Sequence, residues 1–298
     1  MKAEEAQSLV QSGLERLMAD PKEWGEWART FSRFTKYSPG NILLIMSQRQ
    51  DATYVAGYRT WQSLGRQVEK GQKAITILAP VIKKVESDEK SDEQSGKKLV
   101  AFRTASVFDV AQTSGEPLKI PEPVPLEGSR MGEALQHLIP VVGHPVRFGD
   151  TGEAFGVWSP SEGTITIRQD VPKDHQLKTL LHEWSHSIGV PSADVTAERH
   201  RGVEEIIAET TAFVVAGSLG LDTAEYSKGY VAGWASGDLK VVAAATHEIG
   251  SRVHQIIGVI EKAAERDPVL KRLTAAWQPI QPHQPEPAVE KAAVARAR

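Results

Sequence analysis

The chain has 298 residues with a formal net charge of −3 and no cysteine. That length allows two domains and a sizeable core. The missing cysteines exclude disulfides and thiolate metal sites, and the composition holds no apolar run long enough to span a bilayer. An acidic start, Met1-Lys2-Ala3-Glu4-Glu5, is unlike a secretion signal, so a cytoplasmic location with no membrane partner is expected.

Residues 3–18 read as an amphipathic helix with Leu9, Leu14 and Leu17 among polar residues. Asp20-Pro21 restarts a helix, Asp20 as the N-cap and Pro21 in the first turn. Trp24, Trp27, Phe31, Phe34 and Tyr37 then fall at helical spacing. That pattern predicts a packed face for the first four rather than a nucleic-acid platform. Ser38-Pro39-Gly40-Asn41 is a turn, followed by an apolar helix over 42–48. A short strand over 54–58, a short helix over 59–64 and a turn at 70–73 lead into a strand over 74–79 that continues to 85. Residues 87–98 form a charged hairpin tip, and 99–110 the returning strand. The plan is an α+β unit: helices packed on a small sheet.

Pro117, Pro121, Pro123 and Pro125 mark 112–128 as an extended linker. Beyond it a helix is predicted over 131–142, then short antiparallel strands at 146–148, 156–158 and 164–168. Thr164-Ile165-Thr166-Ile167-Arg168 alternates cleanly and is expected at the sheet edge, where an extended peptide could add as a strand. Helices follow at 174–188, 203–219, 223–235, 238–266 and 268–277. The Pro-, Gln- and Ala-rich tail, 279–298, has too few bulky apolar residues to pack and is expected to be disordered. The domain boundaries expected are therefore 1–111, a linker over 112–128, and 129–278.

The chemistry concentrates in His182-Glu183-Trp184-Ser185-His186. On a helix, residues four apart share a face, so His182 and His186 can reach one metal ion with Glu183 beside them as the base for a water activated by the metal. A third ligand is required. The pattern that continues to a further histidine fails, because Ser192 stands there. A glutamate from the next helix is the other solution: Glu205 as ligand, with Glu209 one turn later accepting the free N–H of a ligand histidine. That helix is largely apolar, so a carboxylate on it needs a partner. A donor for the oxyanion is also needed, and Tyr230 is the choice over Tyr226 and His247. Zn2+ is expected, with Mn2+ or Co2+ as substitutes that accept the same donors.

Between residues 22 and 73 nine basic side chains stand against four acids, opposite in sign to the whole chain. Cations neutralise phosphates and aromatics stack on unpaired bases. Tyr58, Arg59, Trp61, Arg66, Lys70 and Lys73 are the candidates for binding single-stranded DNA, provided the rings are exposed. Double-stranded DNA is a further possible partner.

Two blocks together resemble a known family. One runs from Tyr37-Ser38-Pro39-Gly40-Asn41 through Ala52-Thr53-Tyr54-Val55-Ala56-Gly57-Tyr58-Arg59-Thr60-Trp61 to Val107-Phe108-Asp109-Val110 and Gly115-Glu116-Pro117-Leu118. The other is His182-Glu183-x-x-His186 with Glu205 and Glu209, then Gly229-Tyr230-Val231-Ala232-Gly233-Trp234. The chain resembles the ArdC-like antirestriction proteins of mobile elements. The resemblance implies a single-stranded-DNA-binding domain ahead of a zincin-like metallopeptidase domain akin to the ImmA/IrrE-type peptidases. The function then expected is a DNA-binding zinc endopeptidase acting on an unknown protein. The alternative is a DNA-shielding protein whose metal site is mainly structural.

Overall fold

The computed structural model describes residues 1–84, 97–117, 129–189, 197–221 and 238–275. The expected hairpin tip, most of the linker, the helix at 223–235 and the tail lie outside them, as do Tyr226 and Tyr230. The described chain falls into two compact units. Met1–Gln11 and Leu44–Glu116 form one. Ser12–Leu43 and the described part of Pro117–Pro279 form the other.

In the first unit, β1 (Val55–Gly57), β3 (Ile75–Lys84) and β4 (Lys97–Asp109) make an antiparallel sheet in the order β1-β4-β3. Ile75, Ile77 and Ala79 alternate inward and are buried, the two-residue period of a half-buried strand. β2 (Arg66–Val68) pairs with β5 (Thr113–Gly115), which the sequence reading assigned to the start of the linker. Gly115, at φ 131°, permits that pairing, since a Cβ there would lie 2.4 Å from the Gly65 carbonyl oxygen. The buried Asp109 organises the connection. Its carboxylate accepts the backbone N–H groups of Thr53 (2.7 Å), Tyr54 (3.0 Å) and Ala111 (2.9 Å), while Gln112 accepts from the Asp109 N–H (2.9 Å).

In the second unit, α2 (Pro21–Arg33) starts at Asp20, whose side chain accepts from the Lys22 N–H. Its aromatic stripe is core, as the spacing predicts: Trp24, Trp27 and Phe31 are fully buried, with ring centroids 5.4 and 5.6 Å apart along the series. Each such side chain contributes about 1.5–3 kcal/mol by leaving water. The stripe packs on α7 (Ala197–Ser218), where the Trp24 indole donates to Thr210 Oγ1 at 3.1 Å. Helix α8 (Leu239–Ala264) covers α7 in turn.

The sheet of this unit corrects two expectations. β6 (Val146–Gly149), β8 (Thr164–Arg168) and β7 (Gly156–Ser159) run in the order β6-β8-β7, with β6 parallel and β7 antiparallel to β8. The sheet is mixed, not antiparallel. Thr164–Arg168 is its central strand, hydrogen-bonded on both sides, so it has no edge to offer a peptide. Its inward residues Ile165 and Ile167 are fully buried, and the strand packs against α6 (Lys173–Ile188).

Candidate metal centre

Helix α6 buries Leu177, Leu180, Leu181 and Trp184, which leaves His182 and His186 on the side that lines a cleft of about 1110 Å³. Glu183, Glu205 and Glu209 line the same cleft. His182 Nε2 and His186 Nε2 lie 3.0 Å apart. The carboxylate of Glu205 is 3.3 Å from the first and 3.6 Å from the second. One donor atom from each of the three falls within 4.8 Å of the others, the spacing of ligands around one cation. The donor set, two imidazoles and a carboxylate with no thiolate, fits a borderline divalent metal.

The far sides of the rings are also held. His182 Nδ1 faces Glu209 at 3.3 Å, and His186 Nδ1 faces Glu204 at 3.3 Å. An imidazole that gives its Nδ1 proton to a carboxylate presents an Nε2 lone pair to a metal. The electrostatics of the cluster follow from this crowding of acids. Burial works to lower the His182 pKa, but hydrogen bonds to Glu205 and Glu209 and the nearby charge of Glu183 outweigh it, and His182 is pushed up to about 10. His186 is raised in the same way: burial opposes, while Glu204 and Glu205 prevail. Glu205 is held far below the usual carboxylate range by hydrogen bonds from both histidines. Glu183 goes the other way, its carboxyl raised by burial against the pull of His182 and His186.

Glu183 is fixed by β7. The Trp158 N–H donates to its Oε2 at 2.8 Å. Strand and helix approach this closely because residue 156 is glycine: a Cβ there would sit 2.4 Å from Thr179 Cγ2 and 3.0 Å from Glu183 Cγ.

Sequence reasoning missed Glu204, Arg252 and the Trp158 N–H. Glu204 was visible only as a charged neighbour of Glu205. Arg252 sits on α8 with no local motif, and a backbone donor leaves no signature at all. His247 is exposed on α8.

The nucleic-acid candidates separate into three kinds. Trp61 is fully buried, with its indole N–H given to the Phe108 carbonyl at 2.9 Å. Its assignment to base stacking is therefore corrected: the ring closes the core beneath β4. Arg66 spends its guanidinium on the β2–β5 pair, reaching Thr113 Oγ1 (2.8 Å), Thr113 O (2.7 Å) and Glu116 O (2.6 Å). Tyr58, Arg59, Lys70 and Lys73 are exposed, and the Tyr58 hydroxyl takes a hydrogen bond from Gln67.

The molecule is thus a two-unit protein of helices and short sheets whose second unit presents a His-Glu-x-x-His helix against a Glu-bearing helix. Residues 10–109 match the family model described as the N-terminal domain of anti-restriction factor ArdC. Two crystal structures of antirestriction protein ArdC from plasmid R388 share the fold, both at TM-score 0.54 and 20% identity. The metal-free one covers 90% of this chain and 98% of that one. The Mn(II)-bound one covers 87% and 99%. An uncharacterised Bacillus anthracis protein is 25% identical over 271 residues, 77% of this chain. The chain spans about half of that relative's length, 46%. The likeness to ArdC thus lies in the fold and in residues 10–109. Among the described residues no helix is long and apolar enough to cross a membrane.

Proposed function

We propose that this protein is an antirestriction protein of the ArdC type that binds single-stranded DNA and hydrolyses peptide bonds at a divalent-metal centre. The observation that carries the reading is the convergence of His182 Nε2, His186 Nε2 and the Glu205 carboxylate in a cleft that also contains Glu183. The Mn(II) bound by the R388 protein supports a divalent cation, and zinc is the cation we assign.

Such a cation supplies Lewis acidity, polarising a carbonyl and making water a nucleophile near neutral pH. The protein does the rest. Among the described residues, His182, His186 and Glu205 would supply three ligands to such a cation, one fewer than the four protein groups usual in a structural zinc site. Glu183 takes a proton from the attacking water and returns it to the leaving amine nitrogen. Its carboxyl is raised by burial, towards the range in which a group can serve as both base and acid. Trp158 holds one oxygen of that carboxylate, so the other handles the proton. Tyr230 remains our proposal for the oxyanion donor. In the other unit, Tyr58 offers a stacking face and Arg59, Lys70 and Lys73 offer charge to phosphates.

The test uses the full chain. Elemental analysis should find one divalent metal per chain, lost in His182→Ala. Glu183→Gln should keep the metal and lose cleavage of a quenched-fluorescent peptide library. A fully active Glu183→Gln protein would sink the hydrolytic step. Gel shifts with single- and double-stranded DNA at two salt concentrations test the second activity, and binding that ignores salt would contradict it.

A further inference from the structure

The two ligand histidines are not held alike. Glu209 reaches His182 alone, among the contacts described above. Glu204 is itself clamped, and the clamp extends through the fold. Arg252, 1% exposed, donates from Nη1 to Glu204 Oε1 (2.6 Å) and from Nη2 to Oε2 (2.9 Å), a bidentate pair. Oε1 of Glu204 is also the atom that faces His186 Nδ1. The same guanidinium donates to the Ser185 carbonyl at 3.1 Å, and its Nε to Glu248 at 2.9 Å. Ser185 carries one of the last four carbonyls of α6, which have no partner within the helix. Arg252 therefore fixes both the backbone just before His186 and the acceptor of its ring proton.

Gly189 completes the arrangement. A Cβ at that position would lie 2.3 Å from Arg252 Nη2 and 2.6 Å from Cζ. The glycine that ends the histidine helix is the space into which the guanidinium packs. A buried arginine is costly unless its donors are satisfied. Here they are spent on two carboxylates, a carbonyl and the hydroxyl of Ser185.

We infer that Arg252 is a positioning residue for the metal centre: through Glu204 it sets the orientation and proton of His186, so that metal affinity depends on a helix that supplies no ligand. This rests on the metal-centre reading above. The rival is a mere staple between α6, α7 and α8, which would affect stability alone.

The experiment uses the full chain stripped of metal. Wild type, Glu204→Gln, Arg252→Lys and their double variant are compared for Zn(II) affinity, by competition with a chromophoric chelator. Co(II) ligand-field absorption, far-UV circular dichroism and the thermal midpoint are recorded alongside. Each single variant should bind Zn(II) about 10–100-fold more weakly and shift the Co(II) bands. The double variant should be no weaker than the worse single, because both act on one ring. Folded variants with a lowered midpoint but wild-type Zn(II) affinity and Co(II) spectrum would overturn the inference. Should Arg252→Lys not fold, Glu204→Gln decides alone, since it keeps the side-chain shape and replaces one acceptor oxygen by a donor. If wild type itself takes up no Zn(II), Co(II) or Mn(II), the metal-centre reading falls first and this one with it.

Discussion

Adding one methyl group at position 156 should disturb the candidate site from outside it. In Gly156→Ala the new Cβ would stand 2.4 Å from Thr179 Cγ2, where carbon atoms prefer about 3.5–4.0 Å. Strand β7 must move away from α6 by about an ångström, and the Trp158 N–H moves with it off Glu183. Overpacking of this kind costs about 1–3 kcal/mol. With a slope of roughly 3 kcal/mol per M that is a fall of roughly 0.3–1 M in the urea midpoint. Thr179→Ser removes the methyl in the way. Alone it should cost about 1 kcal/mol for one buried carbon and its residual space. Combined with Gly156→Ala it should restore much of the loss, a coupling of about 1 kcal/mol or more. Urea unfolding of the four proteins by circular dichroism measures the cycle. Effects that add within about 0.5 kcal/mol would refute the steric argument.

The surrounding carboxylates push the His182 pKa up to about 10 and raise that of His186, so cation uptake should expel protons. Zn(II) affinity should rise with pH by about tenfold per unit per proton between pH 6 and 8. Calorimetry in buffers of different ionisation enthalpy counts the protons, and a count of zero contradicts the electrostatics. Trp61→Ala should cost about 3–5 kcal/mol as a core truncation. Tyr58→Ala should leave the urea midpoint unchanged and weaken single-stranded DNA binding by about 1–3 kcal/mol in fluorescence anisotropy. The reverse pattern would return Trp61 to the binding surface. Asp109→Ala strands three backbone donors, each worth about 1–3 kcal/mol when left unpaired in the interior. A melting midpoint equal to wild type would show that water reaches them.

What the sequence exposes best is what repeats locally. The 3.6-residue period placed the aromatic stripe of α2 in the core, and the four-residue spacing put His182 and His186 on one face of α6. Strand order is different, because it depends on partners far along the chain. The alternation in Thr164–Arg168 is equally good for an edge or a central strand, and only pairing with both β6 and β7 decides between them. Trp61 misled for a related reason: a six-residue helix is too short for periodicity to say which side faces in. Glu204 and Glu205 are adjacent and chemically identical, yet one faces both Nε2 atoms and the other backs His186. Gly189 caps α6, but its deeper constraint is a guanidinium from 63 positions later, and one arginine on a long helix carries no mark of its destination.

The bond between Trp24 and Thr210 joins residues 186 positions apart within one unit. During synthesis α2 leaves the ribosome long before the surface that covers its indoles exists. Its aromatic stripe must then wait, wet or shielded by a chaperone, until nearly three-quarters of the chain has been made. A fragment that begins at Pro117 would inherit the complementary fault, an α7 stripped of its cover. Expressing that fragment together with a peptide spanning Ser12–Leu43 is the way to recover it in folded form.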